Sequence, residues 1–497
     1  MCEVFVLEFS NLYFIYIWLP FLLITYFLVR GMRWKNYVLA GFGLFFYAMG
    51  QPIYLALLVG LTYANFRLAA LIRPGDKASL WKPVAMNIAV LAVFKYLDFF
   101  LSFFGISTAD GLLMTILKWL IRGLNAIGFA FTEPTSILPM GISFFTFSMI
   151  SYLVDVYNGK VEPEPSFKRL LLYVTLFPKI LQGPIVRYEQ IGFQLAHRYA
   201  NSRMIFEGGL RFIVGLSKKV LLADYCGKAM GELAAMGSDT TFVGAWLSAI
   251  LFMFQIYFDF SGYSDMAIGL GRTFGFTFCE NFDLPYTARS ITEFWRRWHM
   301  SLGSFFRDYV YIPLGGNRLG FKRQILNLLA VWALTGLWHG ASWNYVLWGL
   351  YFFGLLVAEK YYKKRLAKIP APAQHAMTLL LLLIGWVIFS HENFRELGAA
   401  LGGMLGFGGF AGTGVWLKLL NTLPLMAVCT IGCTGLPRQC INSWRMLCGM
   451  HDDASEAVTP WKVAYLCSVF MLMLLLLWLC TVSLVGSTSA PSIYGNF

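Results

Sequence analysis

Long apolar runs recur along the chain and set the first expectation for its architecture. An α-helix needs roughly 17–25 residues to cross the ~30 Å hydrocarbon core of a bilayer. The clearest runs of this kind are residues 9–29, 52–72, 83–104, 243–270, 376–390, 413–433 and 461–486. Shorter or polar-interrupted runs are 36–50, 111–131, 137–156, 168–182, 207–223 and 325–360. The pattern predicts an all-α polytopic membrane protein with about ten to twelve transmembrane helices.

Two regions have a different pattern and predict helices that lie in the membrane interface. In residues 111–131, Lys118 and Arg122 are four positions apart and share one helix face. Residues 280–324 are rich in charged and aromatic side chains and end in a turn at 313–318. No repeat or linker composition divides the chain, so we expect a single integral membrane domain over residues 1–497.

Composition excludes a soluble globular protein. The 497 residues are 58% hydrophobic and only 13% charged, whereas soluble domains carry roughly 25% charged residues. The nine cysteines are scattered and none has metal-ligand spacing, so we expect no metal site. Cys429 and Cys433, four residues apart, are interpreted as small packing residues.

The net charge of +13 requires no nucleic-acid partner, because the basic residues cluster between apolar runs. This distribution is typical of cytoplasmic connectors. The N-terminus is then predicted outside, with 9–29 as an uncleaved span. The segments placed in the cytoplasm are Arg30 to Lys35, Arg73 to Lys82, Lys160 to Arg169, Lys218 and Lys219, Arg296 to Arg323, and Lys363 to Lys368.

His339 is the strongest candidate for chemistry. It lies in an apolar stretch among small residues, and an ionisable side chain at membrane depth indicates function by default. An imidazole has an unperturbed pKa of ~6.5, and apolar surroundings favour its neutral form, which can act as a general base for a hydroxyl. The alternative is a histidine bonded to a backbone carbonyl at a helix kink.

His299 lies in the charged and aromatic region and is a second candidate, although an interfacial anchor would have the same pattern. Arg296, Arg297 and Arg307 are close to it in sequence. Guanidinium groups suit the phosphates of a donor molecule, and they equally suit anionic lipid. Composition leaves both interpretations open.

Asp259 and Asp265 interrupt an apolar run. They are interpreted either as a proton or ion path or as buried carboxylates that fix helix packing through partners. Zinc proteases, serine hydrolases and nucleotide-driven pumps have no motif in the sequence.

Six motifs together resemble the membrane-bound O-acyltransferases, most closely the alginate O-acetylation branch. They are residues 138–147 (LPMGISFFTF), 177–188 (FPKILQGPIVRY), 258–265 (FDFSGYSD), 294–302 (FWRRWHMSL), 306–316 (FRDYVYIPLGG) and 337–340 (LWHG). They cover about residues 130–360 of the chain, whereas the helices within 376–497 are less recognisable.

The resemblance implies that His339 is catalytic and that His299 is its partner. Arg296, Arg297, Arg307 and Trp338 are the residues that we expect to contact substrate. It also implies a ring of helices around a central tunnel in a bacterial inner membrane. An acyl group, most simply acetyl from acetyl-CoA, would enter from the cytoplasm and reach a hydroxyl of an exported polysaccharide or a secreted or membrane-anchored acyltransferase partner. No tightly bound cofactor is implied, and membrane lipid surrounds the protein.

Three alternatives stay open at this point. In the first, the acyl group passes through an acyl-His339 intermediate. In the second, the transferred group is D-alanine and the acceptor resembles teichoic acid. In a different class, the protein is a transporter or channel in which Asp259, Asp265 and His339 line a polar path.

Overall fold

The computed structural model describes residues 7–102, 104, 111–126, 138–448 and 459–486. Within these ranges the chain forms helices joined by turns, and no β-strand occurs there. The all-α prediction is therefore confirmed for the described residues.

The helices follow one another with short connections. The N-terminal helices are α1 (Leu19–Leu28), α2 (Met32–Gly50), α3 (Leu55–Ala69), α4 (Lys77–Ser102), α5 (Leu112–Ala126) and α6 (Ile142–Tyr157). The central helices are α7 (Phe167–Thr175), α8 (Phe177–Ile180), α9 (Tyr188–Ala196), α10 (Ser202–Ser217), α11 (Asp224–Ala235), α12 (Phe242–Thr273), α13 (Ile291–Arg297) and α14 (Met300–Phe306). The C-terminal helices are α15 (Phe321–His339), α16 (Trp343–Tyr361), α17 (Lys363–Leu366), α18 (Ala371–Ser390), α19 (Phe394–Met404), α20 (Val415–Gly432), α21 (Leu436–Leu447) and α22 (Pro460–Val485).

Six helical segments of the described chain combine the length and apolar character needed to cross a bilayer. They are Pro52–Ala69, Lys77–Leu101, Phe242–Thr273, Ala371–Ser390, Val415–Gly432 and Pro460–Val485. Each coincides with one of the seven clearest apolar runs. The remaining run, 9–29, forms a shorter apolar helix, Phe14–Leu28, that opens with a π-helical turn. A count of ten to twelve crossings and a ring around a tunnel stay predictions.

Helix α12 is the centre of the fold, and its backbone is in direct contact with that of α10 at two glycine pairs. A Cβ on Gly215 would lie 2.5 Å from the carbonyl oxygen of Gly262, and one on Gly208 would lie 2.6 Å from that of Gly269. Since real side chains do not approach this closely, only glycine permits the two helices to meet here. This contact fixes the register of α10 against α12.

One topological prediction was wrong. Residues 202–235 form one continuous helical run through α10, a π-helical turn at Lys218–Ala223 and α11. Lys218 and Lys219 therefore lie midway along this run and not in a connector. Their charges are balanced by carboxylates of α12, at 2.6 Å from Lys218 Nζ to Asp265 and 3.0 Å from Lys219 Nζ to Asp259. Paired charges tolerate a buried position that isolated ones do not.

The region at 280–324 contains helices, as predicted, and their position in the membrane interface stays a prediction. Helices α13 and α14 are each seven residues long, and a π-helical turn at Arg307–Tyr311 follows. In the other predicted interfacial region, α5 covers Leu112–Ala126, and residues 127–131 lie outside the described ranges.

The apolar stretch 325–360 divides into α15 and α16, which pack as a hairpin. A Cβ on Gly336 would lie 2.5 Å from the carbonyl oxygen of Tyr345, and one on Gly349 would lie 2.5 Å from that of Trp332. Gly340, directly after α15, leaves space that the ring of Tyr345 fills. The small residues around His339 thus permit close helix packing, as the sequence indicated.

Candidate active site

His339 is the last residue of α15 and is only 4% exposed. Aromatic rings surround its imidazole: the ring centroids of Trp338, Trp348 and Phe389 lie 4.7, 4.9 and 5.1 Å away, each in an edge-to-face arrangement. Such a setting excludes water from the imidazole and fixes its orientation. A buried, oriented imidazole suits proton transfer in a water-poor site.

His299 lies at the junction between α13 and α14 with an unusual backbone. Its φ of 44° and ψ of 54° place it in the left-handed region, where a non-glycine residue is strained. Strain of this kind costs on the order of 1–3 kcal/mol and is retained where the surrounding structure imposes it. The turn directs the imidazole into the interior, where the residue is 3% exposed.

Asn281 holds His299 in place and determines which ring nitrogen carries the proton. The Asn281 side-chain oxygen accepts hydrogen bonds from the backbone N–H and hydroxyl of Ser301 at 3.2 and 2.8 Å, and its amide nitrogen donates to Ser264 at 3.0 Å. The oxygen therefore faces His299 Nδ1, 3.0 Å away, and Nδ1 must be the donor. The lone pair of Nε2 is left without a protein partner among the described residues.

Burial lowers the pKa of His299 to about 3, because charging the imidazole in this interior is costly. The side chain is consequently neutral at physiological pH. It can accept a hydrogen bond through Nε2, but it is a weak base.

The two histidines line one cavity of about 260 Å³, which we call the histidine cavity. Leu328, Thr335 and His339 lie on one face of α15 along its wall. Tyr311 lines the other end and accepts a hydrogen bond of 3.1 Å from Gln324, in the first turn of α15. Because α15 rises about 1.5 Å per residue, the cavity extends roughly 16 Å from Leu328 to His339.

The structure brings together some of the predicted substrate contacts and not others. Arg296 and Arg307 line the histidine cavity together with His299 and His339, and Arg307 also forms an ion pair of 2.7 Å with Asp308. Arg297 instead forms a 2.8 Å ion pair with Glu293 one turn earlier in α13. The Arg297 guanidinium therefore stabilises this short helix.

Trp338 is not among the cavity-lining residues. It is 2% exposed and packs against Phe144 and Phe147, with ring centroids 5.9 and 6.1 Å away. Its ring centroid is also 5.9 Å from that of His299. Trp338 thus forms the packing layer between the two histidines.

Helix α4 anchors the end of α15, a contact that the sequence did not indicate. Lys95 donates to the carbonyl of Trp338, and the Tyr96 hydroxyl donates to the carbonyl of Leu337 at 2.6 Å. The last carbonyls of a helix have no partner within it. These two side chains therefore satisfy carbonyls directly before His339. The partners in these two contacts are 241 and 243 positions apart, and no local sequence pattern indicates such pairs.

The motifs recognised in the sequence meet in space around His299. A Cβ on Gly141 would collide with the carbonyl oxygen of Ile180, so the first two motifs are in backbone contact. A second link runs from the backbone N–H of Ile185 to the Ser301 hydroxyl at 3.0 Å. Gly141 and Ser301, which both belong to the motifs, thus contribute to the packing of the site.

A charged pair adds a third link between the motifs. Arg187 and Asp308 form an ion pair of 2.8 Å, although they are 121 positions apart. Residues far apart in the chain thus build one site.

Asp259 and Asp265 are engaged in ion pairs. Lys219 lies between Asp259 and Asp224, at 3.0 and 2.6 Å. Arg211 joins Lys218 at Asp265, at 2.8 Å. Neither carboxylate lines the histidine cavity. This geometry agrees with the interpretation as carboxylates that fix helix packing.

The described residues form an apolar, all-helical fold with two buried histidines on one cavity. A model of the MBOAT, membrane-bound O-acyltransferase, family matches residues 158–391. The chain belongs to this family and is an O-acyltransferase with several membrane-embedded helices.

Named relatives extend the similarity over most of the chain. A "Probable alginate O-acetylase AlgI" from Pseudomonas putida is 38% identical over 411 residues, 80% of this chain and 80% of the relative. A "Peptidoglycan O-acetyltransferase" from Helicobacter pylori is 34% identical over 450 residues, 82% of this chain and 81% of the relative. A "Teichoic acid D-alanyltransferase" from Bacillus subtilis is 28% identical over 284 residues, 52% of this chain and 70% of the relative.

Proposed function

We propose that the protein transfers an acetyl group from acetyl-CoA to a hydroxyl of an exported polysaccharide, directly or through an acyltransferase partner, with His339 as the catalytic base. The observation that carries the proposal is the histidine cavity, which places His299 and His339 at one site with two arginines. The names of the alginate and peptidoglycan O-acetylating relatives support an acetyl group and a polymeric acceptor.

The donor would enter past Arg296 and Arg307. Guanidinium groups bind phosphate oxygens through paired N–H donors, and coenzyme A carries phosphates at the end remote from its thioester. A donor whose phosphates rest on these arginines extends its thioester arm along α15 toward His339. Arg297 does not line the histidine cavity and takes no part in this contact.

The chemical step follows from the position of His339. Its imidazole takes the proton of the acceptor hydroxyl while the hydroxyl oxygen attacks the thioester carbonyl. A C–O bond forms, the C–S bond breaks, and the leaving thiolate takes the proton from the imidazolium. The products are the acetyl ester and free coenzyme A, and His339 returns to its neutral form. An acetyl-His339 intermediate is a variant of this route in which the imidazole is the first nucleophile.

His299 acts as a hydrogen-bond acceptor. Its Nδ1 proton is committed to Asn281, and its neutral state at physiological pH leaves Nε2 as a lone pair in the cavity. It would orient the acceptor by accepting a hydrogen bond from a second hydroxyl of the sugar, next to the hydroxyl whose proton His339 takes.

The predicted sidedness gives the test. The basic segment 363–368 is expected in the cytoplasm of a bacterial inner membrane, with the N-terminus outside. In proteoliposomes of the full chain, labelled acetyl-CoA supplied at the face bearing this segment should be consumed and should acetylate an acceptor or the protein. Donor at the opposite face should be inert. Equal consumption from both faces would contradict the proposal.

Two further outcomes separate the alternatives. Preference for a D-alanyl thioester over acetyl-CoA would favour the teichoic-acid type of transfer. Solute flux without thioester consumption would favour a transporter. Ion pairing of Asp259 and Asp265 argues against the transporter, because neither carboxylate is presented to the histidine cavity.

A further inference from the structure

A second and larger cavity, of about 1240 Å³, lies between α11, α12, α19 and the last turns of α18 and α22. We call it the distal cavity. Ligand pockets for small molecules are about 300–1,000 Å³. The distal cavity therefore has room for a ligand longer than one small molecule, such as several linked sugar units.

The distal cavity is lined by the last turn of α18, whereas the histidine cavity is lined by no residue of this helix. At the start of α18, His375 donates to the carbonyl of Ala288, close to the helix that carries Arg296. At its end, Ser390 and His391 line the distal cavity. The 20 residues of α18 span about 30 Å at the rise of an α-helix. The two cavities share no lining residue, as separate donor and acceptor sites require.

The walls of the distal cavity combine polar and aromatic groups. Ser248, Phe252 and Gln255 share one face of α12, and Asp224 and Lys228 are one turn apart on α11. The hydroxyl of Ser248 is buried and has no hydrogen-bond partner among the described residues. A lipid acyl chain would leave the Ser248 hydroxyl without a partner, whereas a hydroxyl-rich ligand supplies a donor and an acceptor to it.

The charges at the distal cavity disfavour an anionic ligand. Asp239 and Glu396 line it, and Lys228 is the lysine in its wall. The charge of Asp224 is balanced by Lys219 at 2.6 Å. This balance is opposite to that of the histidine cavity, which is lined by Arg296 and by Arg307, the latter paired with Asp308. Carboxylates accept hydrogen bonds from sugar hydroxyls and repel uronate or phosphate groups.

The distal cavity adjoins the catalytic region without containing it. Val387 and Ser390 of the last turn of α18 face the cavity, while Phe389 between them packs on the imidazole of His339 at 5.1 Å. The last turn of α18 therefore separates the distal cavity from His339. A ligand in the distal cavity is docked beside the reaction centre and does not itself touch His339.

We propose that the distal cavity docks a neutral, hydroxyl-rich saccharide segment of the acceptor. This inference rests on the proposed function and deepens it, because it assigns the acceptor to neutral saccharides and excludes polyuronates. The docked segment holds the chain while a hydroxyl farther along it reaches His339.

Isothermal titration of the detergent-solubilised full chain tests this with two neutral probes, cellohexaose and chitohexaose, and one anionic probe, hexaguluronate. At least one neutral hexamer should bind, and hexaguluronate should bind at least about tenfold more weakly. Replacement of both carboxylates, Asp239→Asn with Glu396→Gln, should weaken neutral binding about tenfold or more, since hydrogen bonds to charged groups are the stronger ones. The matched control is Glu162→Gln, an exposed carboxylate outside both cavities.

A filling variant, Ser248→Phe, should abolish binding while two measures of folding, the melting temperature and the α-helical circular dichroism, stay near those of the wild type. The inference is overturned if neither neutral hexamer binds at millimolar concentration, if hexaguluronate binds as tightly, or if the variants bind normally. It is also overturned if native mass spectrometry finds a phospholipid on the wild type that Ser248→Phe removes.

Failure of this inference and failure of the proposed function give different results. His339→Ala should bind the neutral hexamer as the wild type does and should lose consumption of acetyl-CoA. Normal acetyl-CoA consumption by a wild type that binds no saccharide would reject only the docking site. Saccharide binding without any thioester consumption would reject the proposed function.

Discussion

The hydroxyl of Tyr96 donates a 2.6 Å hydrogen bond to the carbonyl of Leu337, two residues before His339. With the neighbouring contact from Lys95 to Trp338, it ties α4 to the end of the helix that carries the proposed base. The position of the imidazole therefore depends on a helix that contributes no residue to the lining of the histidine cavity.

Tyr96→Phe should lower the acetyl-transfer rate about three- to tenfold with little change in the KM for acetyl-CoA. One hydrogen bond contributes about 1 kcal/mol, and about 1.36 kcal/mol in the barrier changes the rate tenfold. Steady-state kinetics of the purified variant measure both parameters. The control is Tyr63→Phe, whose exposed hydroxyl accepts from Arg67 on the surface. An unchanged rate in Tyr96→Phe would show that α4 does not position His339.

His339→Ala should reduce acetyl transfer by about 10²–10⁴-fold, the usual contribution of a positioned general base. The variant should still insert and melt cooperatively, because alanine leaves a small cavity in an aromatic environment. His375→Ala, which removes a histidine bonded to the carbonyl of Ala288, should keep its activity. Wild-type acetylation by His339→Ala would reject the assignment.

The stability of the protein should fall in acid partly because of His299. Burial holds the pKa of this group at about 3, against ~6.5 in an unfolded chain. Between these values the unfolded state binds a proton that the folded state does not, so the free energy of unfolding decreases as pH falls below ~6.5. At pH 5 the loss amounts to ~2 kcal/mol relative to pH 8.

His299→Gln removes this titration. Melting temperatures measured in detergent from pH 8 to pH 5 should fall more steeply for the wild type than for the variant. Parallel curves would mean that His299 is solvated in solution. Activity per folded molecule, measured at pH 8 on the same samples, should be reduced if Nε2 orients the acceptor.

Lys219→Met should strongly destabilise the protein, whereas Asp259→Asn should have a smaller effect. The lysine is 5% exposed and is the cation shared by Asp224 and Asp259, so its loss leaves two carboxylates to be buried without it. Breaking a buried pair costs about 3–5 kcal/mol. Asp259→Asn keeps the pair of Lys219 with Asp224. Chemical denaturation of both variants in detergent measures the two losses, and equal losses would contradict the shared role of the lysine.

Activity of folded Asp259→Asn discriminates between the two roles of this carboxylate. Normal acetyl transfer per folded molecule is expected for a packing residue. Loss of activity with an unchanged melting temperature would instead indicate that Asp259 carries protons or ions.

The helices of this protein were largely predictable because each long apolar run is a local signal. Runs such as 243–270 and 461–486 correspond closely to α12 and α22. The prediction failed where polar residues inside a helix were interpreted as a connector, as at Lys218 and Lys219. Their partners are on α12, about 40 or more positions away, and the sequence does not display that pairing.

The candidate site was predictable to the level of residue types. His339 and His299 were identified by an isolated imidazole in an apolar run and by motif resemblance, and the structure places both on one cavity. Arg296 also lines it, whereas its neighbour Arg297 is held by Glu293. The two arginines look alike in the sequence, and only the direction of each side chain in the folded protein distinguishes them.

Hydrophobicity and the spacing of motifs are properties of the chain alone, and they were enough to predict a helical membrane protein of the O-acyltransferase family. Which polar groups meet depends on how the helices pack in the folded protein. Asn281, which is 18 positions from His299 in the sequence, accepts the hydrogen bond that keeps the His299 proton on Nδ1. Lys95 donates to the carbonyl of Trp338, which is 243 positions away. Buried polar groups must find partners wherever packing brings helices together, and that choice is made by the whole fold.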